Sequence, residues 1–434
     1  MSRLRLGLCA AVAAAVAACG PAQMNPNRQV GANPTLPPPH QYLLPPMHLA
    51  KVVGWHGNAK PTVAPGLQVQ AIATGLKNPR MVYVLPNGDI LVVETGGPPP
   101  PSVRRLKEFV MNWMEKKTHS NSVGHDILLL RPDRNGNPVQ KSVFIDNLNS
   151  PFGVVLVGND LYVADTDAVL HYPYQTGQTQ ITAPGTKLTD LPGGPIDHHW
   201  TKALVASPDG SKLYAGIGSN SNITENGIIA ERGRADIWEI DRATGAHRPY
   251  ATGTRNPTGL AFEPQTHQLW AIVNERDEIG PDLVPDYLTS VKDGGFYGWP
   301  YSYWGQHLDA RVEPQRPDLV AKAIVPDYSL ASHVAPLGLV FYTASNLPAN
   351  YRGGAFVGEH GSWDRPTLSG YKVVFIPFAN GRPNGPAQDV VTGFLRDGDK
   401  AQGRPVGLAV DSQGALLIAD DVGNTVWRVS AAPP

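Results

Sequence analysis

TKALVASPDGSKLYAGIG, residues 201–218, is an apolar run, a Pro-Asp-Gly turn and a second apolar run. That pattern reads as a β-hairpin, because short runs bounded by turn residues suit pleated strands. Five further stretches share the plan: NPRMVYVLPNGDILVVET (78–95), SPFGVVLVGNDLYVADT (150–166), NPTGLAFEPQTHQLWAIVNE (256–275), APLGLVFYTASNLPANYRGGAFVGEHG (335–361) and GRPVGLAVDSQGALLIADD (403–421). Strand-like segments such as ADIWEID and YKVVFIP lie between the copies. Six such units point to an all-β chain, a six-bladed β-propeller over residues 66–434. The turn before each innermost strand then lies beside a central channel, where residues distant in sequence converge. The last strand, Val426 to Val429, is expected to close the ring with residues near Leu67 to Ala73.

The rest of the chain is organised around this array. Lys plus Arg total 36 against 37 Asp plus Glu, a formal net charge of -1, which provides no basic field to attract nucleic acid or anionic lipid. A small, weakly charged substrate fits better than a polyanion. Arg3 and Arg5 precede an Ala/Val/Leu-rich stretch that ends at Val16-Ala17-Ala18-Cys19, the pattern of a lipoprotein signal peptide over residues 1–18 with lipid on Cys19. An ordinary secretory signal shares the pattern, and either implies export to the periplasm or cell envelope. Residues 19–65 are rich in Pro, Asn and Gln and read as a tether and lead-in. No other apolar stretch approaches the roughly 20 residues that span a bilayer. Between about 96 and 125, Leu106, Phe109, Val110, Trp113 and Met114 fall at helical spacing, which predicts a short helical insertion that packs on the body, caps the site or meets a partner.

The repeat alignment places His199 just ahead of the third innermost strand, Arg255 and Asn256 ahead of the fourth and Arg404 at the start of the sixth. Glu275, Arg276, Asp277 and Glu278 follow the second run of the fourth copy, and EHGSWDR follows that of the fifth. Arginines, an acidic cluster and a histidine on one channel suit an anionic ligand, a hard cation and a base. Arg80, which merely follows a proline in the first copy, reads as a surface salt bridge.

DHHWTKALVASPDG, TGTRNPTGLAFEP, NERDE, DGGFYGWP and GRPVGLAVD together resemble the soluble sugar dehydrogenases that depend on pyrroloquinoline quinone (PQQ), most closely the sorbosone dehydrogenase branch. The resemblance runs from about Leu67 to Val429. It implies that His199, ten residues before Asp209 of the Pro-Asp-Gly turn, is the general base, with hydride passing to the quinone carbon C5. It implies that Arg255, Asn256 and Arg404 bind PQQ, and that Ca²⁺ is held at Asp277 and Glu278 through backbone carbonyls or their acidic side chains. The family's lysine near the fifth repeat has no counterpart; Arg365 is the substitute, with His360 as the alternative. His198 and Ser219 stand where the glucose-oxidising members carry aspartates, and are expected to meet substrate. A sugar-contacting glutamine is missing from NSPFG, so the pyranose pocket is rebuilt.

The implied activity is oxidation of a sugar, a sugar aldehyde or a related alcohol, with electrons leaving to a quinone or cytochrome. The chain has no Cys-X-X-Cys-His motif, so any haem belongs to a partner. Two other readings stay open: a calcium-dependent propeller lactonase, in which the metal activates water, and a non-catalytic lipoprotein that binds a partner or glycan through its loops.

Overall fold

The computed structural model describes residues 24–25, 28–42, 47–98 and 123–433. The expected signal segment, Cys19 and most of the expected 96–125 insertion lie outside the described residues. What is described is almost entirely β, with helix confined to short turns such as Pro317–Val320 and Ile228–Glu231.

Among the described residues, six sheets of four or five strands follow one another along the chain. Their first strands are Pro79–Val84, Gly153–Val157, Leu204–Ala206, Asn256–Phe262, Pro336–Phe341 and Pro405–Val410. Each opens one of the six repeats, and its antiparallel partner is the repeat's second run. The first strand of each sheet packs against the first strand of the next, and that of the sixth against that of the first. Glycines permit this approach. A methyl on Gly338 would strike Val406 O, and one on Gly407 would lie 2.8 Å from Arg80 O, closer than real contacts allow.

The sixth sheet takes its outer strand from the other end of the chain. Thr425–Ala431 pairs antiparallel with Leu67–Ala73, Val429 opposite Val69, as the repeat pattern anticipates. The Pro-rich stretch ahead of residue 66 also lies on the body: Val30–Gly31 adds an edge strand to the fourth sheet, and Thr62–Val63 adds one to the fifth. Both faces of each sheet are covered, so strands such as Ile90–Thr95 are buried throughout, and the apolar core is divided into clusters between sheets rather than gathered in one centre.

Candidate functional site

The loop DHHW is held by its first residue. Asp197 is buried, accepts from Arg234 Nη2 at 2.9 Å and from the Thr166 hydroxyl, and lies 3.6 Å from the Lys202 ammonium. These bonds hold the two histidines beside the start of the third sheet. His199 Nδ1 lies 2.9 Å from Ser219 O, which can only accept, so Nδ1 carries the proton and Nε2 the lone pair. The Ser219 hydroxyl donates to Ser221 O at 2.7 Å and receives the same Nδ1–H at 3.0 Å. Ser219 is therefore a positioning residue for the imidazole. The His198 ring is exposed and meets His199 edge to face, with centroids 4.5 Å apart. Burial, reinforced by His198 and the Arg255 guanidinium, pushes His199 well below its ordinary pKa. A half-buried, neutral imidazole whose Nε2 has no partner among the described residues is a base at neutral pH.

Arg255 is buried behind it. Its backbone carbonyl accepts from Ser219 N at 2.8 Å, while its guanidinium donates to Glu275 O at 2.6 Å, Asn274 O at 3.3 Å, Asn222 O at 3.2 Å, Asn222 Oδ1 at 3.0 Å and Asp277 Oδ2 at 3.1 Å, so that, against the sequence expectation, its donors are committed to the protein. Asn256 is buried beside it with Oδ1 unpartnered among the described residues. Gly218 separates the two functional groups: a methyl there would collide with both Asn256 Oδ1 and the His199 side chain.

A second cationic group gathers where the sixth sheet meets the first and fifth. Arg404 donates to His360 O at 3.0 Å and Gly361 O at 2.8 Å and covers the Tyr371 ring at 5.1 Å. Arg80 bonds Asp421 Oδ2 at 2.8 Å, leaves its buried Nε without a partner among the described residues, and lies 5.7 Å over the Trp200 ring, next to His199. His360 Nε2 meets the same Asp421 oxygen at 2.8 Å, and burial and Arg404 push it down to about 3, so it is neutral. Arg80 thus pairs with Asp421, whereas Arg404, buried close by, is held by carbonyls and has no ion pair among the described residues. Arg80, which the sequence reads as a surface pair, is a buried member of this group.

Arg365 is placed differently. Its guanidinium is buried against Asp282 Oδ1 at 3.0 Å and the carbonyls of Ser332 and Thr367, which commits it to the protein. Asp277 and Glu278 do meet at the loop after the fourth copy, but the Asp277 carbonyl already accepts from Arg276 Nε and Nη2 and from Asn222 Nδ2. Its carboxylate instead joins His333 and Asp364, ligand atoms of all three lying within 4.8 Å of one another. Burial opposes a charge on His333, yet Asp277, Asp364 and Asp286 outweigh it and raise the ring to about 9. Burial pushes Asp364 up to about 6. His333 sits in no repeat, in SLASHVAPLG, and only SWDR marked the neighbourhood of Asp364.

The donor set fits the two groups that the sequence resemblance implies. Unbalanced buried guanidinium charge and an orphaned amide suit a planar polycarboxylate quinone, and the carboxylates suit a divalent cation. Comparison with known proteins identifies relatives of the chain. A PQQ-dependent pyranose dehydrogenase of Coprinopsis cinerea is 24% identical over 430 residues, covering 85% of this chain and 54% of that protein. An uncharacterised protein of Borreliella burgdorferi is 28% identical over 294 residues, 65% of this chain and 76% of that one. Among solved structures, a Trichoderma reesei carbohydrate-active enzyme of family AA12 superposes with a TM-score of 0.70 at 21% identity, covering 87% of this chain and 100% of that one. The holo PQQ domain of the Coprinopsis enzyme does so at 0.70 and 20%, covering 88% and 100%. At these identities the superpositions establish the shared fold, and the chain spans about half of the whole Coprinopsis protein. The TrAA12-like family model matches residues 61–285 and 316–432, and the chain belongs to that family.

Proposed function

We propose that this protein is an exported, lipid-anchored dehydrogenase, a closed six-bladed propeller that uses PQQ and calcium to oxidise a sugar, a sugar aldehyde or a related alcohol. The observation that carries the reading is a pair of neighbouring buried guanidinium ions, Arg80 paired with Asp421 and Arg404 held by carbonyls alone, with Trp200 linking Arg80 to the histidine loop. A carboxylate ligand would balance that charge. PQQ supplies a two-electron hydride acceptor when bound, and a cation beside it adds Lewis acidity.

The chain's own residues do the rest. His199 Nε2 takes the hydroxyl proton of the substrate, or that of a hydrated aldehyde, while Ser219 O holds Nδ1–H and keeps the ring in the working tautomer. Arg404 and Asn256 orient the cofactor, Arg255 braces the Asp277 loop behind them, and that loop holds the cation. The exposed His198 stands at the substrate side of this base. Cys19 carries the lipid, and a quinone or cytochrome takes the electrons.

The test is a titration of the signal-free apoprotein with PQQ, with and without calcium, followed by quinone absorbance and then a panel of sugars with a dye acceptor. Saturable, calcium-dependent binding with bleaching by one aldose or aldehyde is the expected result. An absence of PQQ binding would overturn the reading. The metal-activated-water alternative draws support from the Asp277, His333 and Asp364 cluster, but a lactonase has no use for the paired arginines.

A further inference from the structure

The cluster of Asp277, His333 and Asp364 uses side chains that the calcium loop does not require. Asp277 follows the second strand of the fourth sheet, His333 follows the fourth strand of that sheet, and Asp364 follows the second strand of the fifth. Each side chain is oriented by a bond at the atom it does not offer to the cluster. His333 Nε2 donates to Gly280 O at 3.1 Å, which directs Nδ1 at Asp277 Oδ1, 3.2 Å away. The other Asp277 oxygen receives Arg255 Nη2 at 3.1 Å. Asp364 Oδ2 accepts the Glu278 amide at 2.8 Å, while Oδ1 is buried with no partner among the described residues. Asp364 is 1% exposed, so this orphaned acceptor has no solvent to satisfy it. The backbone at His333 is in the left-handed region, with φ 61, an uncommon conformation for a residue with a side chain and one that surrounding contacts must maintain.

We infer that Asp277, His333 and Asp364 form a side-chain metal site for a borderline divalent ion of the zinc class, open at its fourth position. Calcium takes about six to eight oxygen ligands and has little use for an imidazole. Once the ion displaces the proton that His333 Nδ1 shares with Asp277, one nitrogen and two carboxylate oxygens, each steered by a second bond, are the donors of a zinc centre with room for water or a substrate oxygen. The orphaned Asp364 Oδ1 is the acceptor that such an ion would satisfy. Through Asp277 the ion shares a carboxylate with Arg255, so it lies beside the proposed cofactor site. The inference does not depend on PQQ.

Chelator-treated full-length protein, free of PQQ, is titrated with Co²⁺ as the zinc probe. The readouts are bound metal per chain, the visible absorption of the cobalt, and its displacement by Zn²⁺ and by Ca²⁺. The expected result is one tight equivalent with the intense bands of a four- or five-coordinate ion, displaced by zinc and not by equimolar calcium. His333→Gln should abolish those bands, and Asp364→Asn should weaken binding by about 100-fold or more, with far-ultraviolet dichroism confirming that each variant is folded. If His333→Gln does not fold, Asp364→Asn decides alone. Absence of stoichiometric cobalt, bands unchanged in both variants, or displacement by equimolar calcium would overturn the site. Because the readout is metal alone, such a failure leaves the PQQ titration untouched.

Discussion

His199 is a base because of two bonds it does not use in the reaction. With Nδ1–H tied to Ser219 O and its charge opposed by burial, His198 and Arg255, the ring stays neutral well below pH 6.5. His199→Gln should keep PQQ affinity within about twofold while turnover falls by about 10²–10⁴-fold, measured by dye reduction at saturating substrate. Retained turnover would remove His199 from the mechanism. Gly218→Ala tests the packing behind it: the new methyl would push the imidazole away from Asn256, so turnover and PQQ affinity should both drop in a protein whose dichroism is unchanged. Arg404 lies across the site with carbonyls as partners, and Nη1 is left over among the described residues. Arg404→Ala should weaken PQQ binding by at least about tenfold, as loss of a charge-assisted pair would, and an unchanged titration would place the cofactor elsewhere.

At the scale of the element, acidic residues at the ends of second strands fasten the neighbouring chain. Glu94 Oε1 accepts the Lys77 amide at 2.6 Å, Asp165 Oδ2 the Asn149 amide at 2.9 Å, and Asp420 Oδ1 the Arg404 amide at 2.8 Å. Each fastens the loop that enters the first strand of its own sheet. The carboxylates therefore fix the strand entries beside which Arg80 and Arg404 stand. Glu359, at the matching place in the fifth sheet, is buried with Oε2 unpartnered among the described residues, and burial pushes it up to about 8. Its folded form holds a proton that the unfolded chain releases near pH 4.5, so its stabilisation is complete below that pH and is lost as pH rises through about 8. Urea unfolding at pH 5 and pH 8.5 should show a smaller difference for Glu359→Gln than for the parent. An unchanged difference would assign the pH dependence to other groups.

At the scale of the whole molecule, stability depends on joining the two ends of the chain. Val69 is buried in the cluster between the fifth and sixth sheets, opposite Val429. Val69→Asp buries an unpaired carboxyl in that seam and should cost about 3 kcal/mol or more, seen as a lower urea midpoint in equilibrium unfolding. A neutral result would mean that the seam contributes little. The first strands meet neighbour to neighbour around the array, and so each functional loop opens at the same end of its sheet. The base, the arginines and the carboxylates are gathered by that arrangement, although they are separated by as many as 341 residues, from Arg80 to Asp421.

Local pattern alone determined the all-β class, the six hairpins, the pairing of Leu67–Ala73 with the last strand, and the places of His199, Arg255 and Arg404. These follow from apolar periodicity, turn residues and motifs, which are properties of short windows. Only the tertiary structure decided that Arg80 is a buried partner of Asp421, that Arg365 is committed to Asp282, and that Ser219 positions the imidazole. It alone brought His333 and Asp364 to Asp277. Those roles depend on which side chains become neighbours when separate sheets pack, and on which atoms burial leaves unpaired. Neither is a property of any window of sequence.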